Sequence, residues 1–157
     1  MTSLALMLVL AQSPLDAGFS ATLQPAAPLP EVALAEQAAL RFFDALQQGN
    51  GRALAQMSQY PFMLEGQRID SLEAATSEWM RRLRAARTDL LRLEGMEIYT
   101  PAEMEKKHGR PPARLAQLPW QRARTYLAVA NLSGHPIVVV VRSDGPGKPY
   151  LAVGYTD

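Results

Sequence analysis

The sequence predicts a single α+β domain in which an antiparallel sheet packs against about three helices. Three observations carry this reading. Apolar residues recur at helical spacing after Pro30, capping signals mark two further helix starts near residues 70 and 100, and residues 122 to 156 alternate as strands separated by turns. A chain of 157 residues suits one domain with a sizeable core.

The chain opens on a continuous apolar run, "LALMLVLA", from Leu4 to Ala11. A bilayer-spanning helix needs roughly 20 apolar residues, so this run is too short to cross, and stable membrane insertion is not expected. It fits the apolar core of a signal peptide, with Val9 and Ala11 as small residues before a cut near Gln12. No Lys or Arg precedes it, which leaves a cytoplasmic protein with a fortuitous apolar tail as the alternative to export into a periplasm or medium. Residues 12–30 carry Pro14, Pro25, Pro28 and Pro30 among Ala, Ser and Gly, the composition of a flexible leader. The expected organisation is a signal-like segment at 1–11, a leader at 12–30 and one α+β domain at 31–157.

In "EVALAEQAALRFFDALQQ" the residues Ala35, Ala39, Phe42, Phe43 and Leu46 share one helix face. Pro30 and Glu31 suit its first turn, and Gly49-Asn50-Gly51 ends it. "RALAQMS" reads as a second, shorter helix. Pro61 breaks the helical pattern, and "FML" and "QRI" flank Glu65-Gly66 as a short hairpin. Asp70 and Glu73 have capping-box spacing for a third helix, with Leu72, Ala75, Trp79 and Leu83 on its apolar stripe.

Around Met96 to Tyr99 a strand is expected, followed by the helix start Thr100-Pro101 with Glu103 as the capping acid. Gly109 closes that helix, and "RPPARLAQLPW" reads as loop with one turn, an insertion between strands. "RARTYLAVANL", "PIVVVVRS" and "YLAVGYTD" then form three strands joined by Ser133-Gly134 and "DGPGKP".

This order of elements, and above all "PFMLEGQRIDSLEAATSEW", resembles the nuclear transport factor 2-like superfamily over roughly residues 32–157, in particular its polyketide-cyclase-like members. The resemblance implies a curved antiparallel sheet wrapped around about three helices to make a cone, with the residue 60–70 hairpin as a flap at one end of the sheet. Enzymes of the superfamily, such as steroid isomerases and scytalone dehydratases, place acids, Tyr or His inside the cone. Many other members only bind small molecules or partner proteins, so the fold alone does not choose.

Composition narrows the chemistry. There is no cysteine, which excludes disulfides, thiol nucleophiles and Cys-based zinc sites. Net charge is +1, so no global bias recruits nucleic acid. Residues 81–124 hold 11 of the 16 Lys and Arg against 5 of the 15 acids, an excess of six that reads first as solvated helix surface. His108 and His135 lack metal-ligand spacing, Asp44 is expected to face solvent, and "GPGKP" lacks the spacing of a phosphate loop.

No catalytic or metal-binding residue and no cofactor is therefore expected. The candidate pocket residues are the aromatics Phe43, Tyr60, Phe62, Trp79 and Tyr126, for which simple core packing is the competing role. The functional expectation is an exported, non-catalytic domain that takes an apolar small molecule or a protein partner through the cone, with a homodimer also open. The alternative is a lyase or isomerase using a cavity carboxylate as general base.

Overall fold

The computed structural model describes residues 30–116, 118 and 122–157; the signal-like run and the leader up to residue 29 lie outside the described residues. Helices α1 (Glu31–Gln47) and α2 (Gly51–Gln56) come first, then strands β1 (Ser58–Leu64) and β2 (Gln67–Ile69) and helix α3 (Leu72–Ala85). After a 3-10 turn at Thr88–Leu90 come β3 (Leu93–Tyr99), α4 (Pro101–His108) and α5 (Ala113–Ala116). Strands β4 (Thr125–Leu132), β5 (His135–Arg142) and β6 (Leu151–Thr156) complete the domain. Helices α1 to α3 fall where the sequence expects them, and α4 is the helix expected after Thr100. The short α4 and one-turn α5 form the insertion between β3 and β4.

The six strands form one open, curved sheet in the order β2-β1-β6-β5-β4-β3. Hairpin-linked neighbours are antiparallel, as tight turns require. The expectation of an antiparallel sheet meets one exception: β1 runs parallel to β6. These strands lie at opposite ends of the domain sequence, so no tight turn dictates their relative direction. Their ladder is irregular between Ser58 and Met63, where Pro61 lacks an N–H to donate.

Two caps illustrate how sequence signals resolve. Thr100 forms the expected capping box: Glu103 N–H donates to Thr100 Oγ1 at 3.3 Å, and Thr100 N–H donates to Glu103 Oε2 at 2.8 Å. The Asp70–Glu73 box does not form. Helix α3 begins one residue later, so Ser71 is its cap and accepts from Ala74 N–H at 3.2 Å. Asp70 instead binds Arg68 Nε at 2.7 Å.

The concave face of the sheet holds the main core. Ala35, Ala39, Phe42, Phe43 and Leu46 of α1 are all buried against Phe62, Leu64, Ala128, Val139, Val141 and Tyr155. On α3, Ala75 and Trp79 are buried and Leu83 packs partly against them, whereas Leu72, expected on the same stripe, occupies the first helical position and is 41% exposed. The convex face carries a smaller core, in which Leu115 and Leu118 of the insertion cover Leu127, Val140 and Val153. No described helix is long and apolar enough to cross a membrane.

Candidate functional site

The interior of the cone is solid where α1 crosses the sheet. Phe42 sits within 5.8–6.5 Å, centroid to centroid, of Phe43, Phe62, Trp79 and Tyr155. The hollow lies beyond this cluster, between the C-terminal half of α3 and the ends of β4, β5 and β6. There a cavity of about 560 Å³ opens to solvent, within the range of small-molecule pockets. Trp79, Leu46 and Tyr155 line it from the core side, and Leu83, Leu91, Leu132 and Ile137 supply further apolar wall. Glu65, Arg81, Arg82, His135 and Asp157 are its polar groups.

The cavity acids are occupied or exposed. Glu65, in the turn of the β1–β2 hairpin, accepts a hydrogen bond from Arg82 Nη1. Arg82 Nε donates to Glu78 Oε1 at 2.7 Å, and Arg81 grips the same carboxylate with Nε at 2.9 Å and Nη2 at 2.6 Å. This chain of charges ties the hairpin to α3 beside the cavity. Asp157 is exposed. Among the described residues, then, no buried carboxylate faces the cavity beside Tyr155. Burial, followed by the charges of Asp157 and Glu65, pushes the Tyr155 phenol above its ordinary range, so it stays a neutral hydroxyl.

The two arginine hydrogen bonds pull the Glu78 carboxyl down to about 2. A carboxylate with a depressed folded pKa stabilises the fold above its unfolded value, and that stabilisation fades as pH falls from about 4.5 towards 2. Glu78→Gln should therefore flatten the loss of stability across this acid window. Urea midpoints of the two proteins should differ at about pH 6 and converge at about pH 2. Solvent screening keeps the difference smaller than the shift alone implies.

The five aromatics expected at a pocket do not converge on one. Trp79 borders the cavity. Phe43 and Phe62 are wholly buried in the core. Tyr60 donates its hydroxyl to Ala55 O at 2.7 Å, fixing β1 to α2. Tyr126, near the start of β4 while the cavity touches Leu132 at its end, packs edge-on against Tyr150 at 5.8 Å. Asp44 is exposed and accepts from Gln48 Nε2 at 2.8 Å. His108 is exposed against the edge of Tyr99, and His135 stands at the cavity margin. Among the described residues no three His, Asp or Glu cluster as a metal site.

Tyr155 is the aromatic that sequence reasoning missed. Ala152 and Tyr155 both face the main core although two residues separate them, where regular alternation would put one, because the β5–β6 register shifts between Val140 and Val141. Val153 is the extra residue of this bulge, and it reverses the alternation beyond it. The basic excess at 81–124 is dispersed: Arg81 and Arg82 bind acids on α3 and the hairpin, Arg87 binds Asp89, Lys107 binds Glu97, and Arg124 binds Glu31.

No protein-family model and no curated protein matches the sequence. Solved structures do. A candidate ketosteroid isomerase from Shewanella frigidimarina superposes with a TM-score of 0.51 at 12% identity, over 82% of this chain and 98% of that one. A ketosteroid isomerase-like protein from Erwinia carotovora gives 0.46 at 10% identity, over 80% and 92% of the two chains. A domain of unknown function with a cystatin-like fold from Nostoc punctiforme gives 0.47 at 12% identity, over 82% and 76%. At these identities the first likeness bears on architecture alone. Together with the order of helices and strands, it shows that the chain has the cone fold of nuclear transport factor 2-like proteins.

Proposed function

We propose that this domain is a non-catalytic binding module that holds an apolar small molecule in the cavity at the open end of the cone. The observation that carries the proposal is the cavity itself, about 560 Å³ walled by Leu46, Trp79, Leu83, Leu91, Leu132, Ile137 and Tyr155. Burying apolar ligand surface against such walls stabilises a complex by roughly 25 cal/mol per Å², before the entropy of association is subtracted. A lyase or isomerase would need a carboxylate free to take a proton from the ligand. Glu65 is instead held by Arg82, which supports binding over catalysis. Export is part of the same proposal and rests on the apolar run Leu4 to Ala11. Mass spectrometry of the native protein should find a chain beginning near Gln12, and an intact Met1 overturns it.

The binding test uses N-phenyl-1-naphthylamine, an uncharged apolar fluorophore. With Trp120→Phe as background, Trp79 is the remaining indole and reports on the cavity directly. Saturable quenching of Trp79 with matching enhancement of the dye is expected, and Trp79→Phe should weaken the dye's own titration several-fold. Absence of saturation in a folded protein overturns the proposal.

A further inference from the structure

We infer that Glu65 and Glu78 act as specificity-determining residues, making the cavity select uncharged apolar ligands over anionic amphiphiles. The inference rests on the cavity being a binding site. It concerns what Arg82 is allowed to do there. Arg82 lines the cavity with its side chain only 25% exposed, beside apolar walls. A half-buried guanidinium in such surroundings is by itself a receptor for carboxylate or sulfate, because charge pairs strengthen as water is excluded. Here that capacity is consumed. Nε is committed to Glu78 and Nη1 to Glu65, so two of its three nitrogens face carboxylates of the protein.

The charges close the argument. Arg81 is bound in bidentate fashion to Glu78, so Arg81, Arg82, Glu65 and Glu78 together carry no net charge. Asp157 adds a negative charge on the same margin, where His135 also lines the cavity. An incoming carboxylate would compete with Glu65 for Arg82 or lie against it, and like-charge contact opposes binding. An uncharged head group meets no such opposition. Tyr155 lines the cavity as a neutral phenol, a donor that an alcohol oxygen can accept from.

The test compares 1-decanol with decanoate, matched in chain and opposite in charge, through Trp79 emission in the Trp120→Phe background at neutral pH. The wild-type network should bind decanol more tightly than decanoate. Glu65→Gln should improve decanoate binding by about fivefold, the size of effect a partly exposed charge carries, and so move the decanoate-to-decanol affinity ratio towards decanoate. Glu78→Gln should shift the ratio the same way without lining the cavity, and thermal melts of both variants check that they are folded. Equal affinities, tighter decanoate in the wild type, or folded variants with an unchanged ratio overturn the selectivity. Failure of both probes and of the naphthylamine dye overturns the cavity reading beneath it.

Discussion

Phe42→Ala is expected to destabilise the fold by about 3–5 kcal/mol, the range for deleting a buried large aromatic. Phe42 is 1% exposed and is the residue through which α1, β1, α3 and β6 meet. Its ring lies edge-on to Trp79 at 5.8 Å and tilted against Phe62 at 6.5 Å and Tyr155 at 6.2 Å. Truncation removes both the transfer free energy of the ring and its contacts with four aromatic neighbours. The neighbours cannot collapse into the gap, because Phe62 and Tyr155 are fixed in strands and Trp79 in a helix. Urea denaturation followed by far-UV circular dichroism measures the loss. A change below about 1.5 kcal/mol, the scale of volume-conserving swaps, would show that the cluster is loosely packed.

That cluster also shows what the sequence made legible and what it did not. Ala35, Ala39, Phe42, Phe43 and Leu46 were readable as one face because helical periodicity is a local property, and all five are buried. Thr100, Pro101 and Glu103 were readable for the same reason, since a cap is satisfied within its own first turn. The cap of α3 was misread by one residue: Asp70 and Ser71 are both good caps, and Arg68 takes the first of them out of contention. The parallel pairing of β1 with β6 and the bulge at Val153 depend on partners remote in sequence, so local patterns carry no trace of them. The site suffered most from this. Its cavity is assembled from the ends of α1, α3, β4, β5 and β6, and the resemblance to a cone fold suggested a hollow at the centre. The large aromatics Phe42, Phe62 and Trp79 fill that centre and displace the hollow to the mouth.

The second large effect lies on the convex face. Gly154 stands in the middle of β6, and a Cβ built there would come within 2.2 Å of Leu118 Cδ2 and 3.3 Å of the Met63 carbonyl oxygen. Leu118 thus occupies the space that any other residue at 154 would need, and it is only 5% exposed over Val140 and Val153. Two effects compete in Gly154→Ala. Replacing glycine in a strand favours folding by roughly 0.5–1 kcal/mol through the reduced freedom of the unfolded chain. Overpacking a buried contact opposes it by about 1–3 kcal/mol, and 2.2 Å is too short for Leu118 to keep its seat. The clash should win, so Gly154→Ala is expected to destabilise. Leu118→Ala alone should cost about 2–5 kcal/mol as a large-to-small change. In the Leu118→Ala background the Leu118 clash disappears and the backbone term is set only against the 3.3 Å approach to the Met63 carbonyl, so adding Gly154→Ala should then cost much less than it does in the wild type. Urea denaturation of the four proteins in this double-mutant cycle reads the difference directly. If Gly154→Ala destabilises equally in both backgrounds, the packing of the insertion on β6 is not what requires glycine at 154.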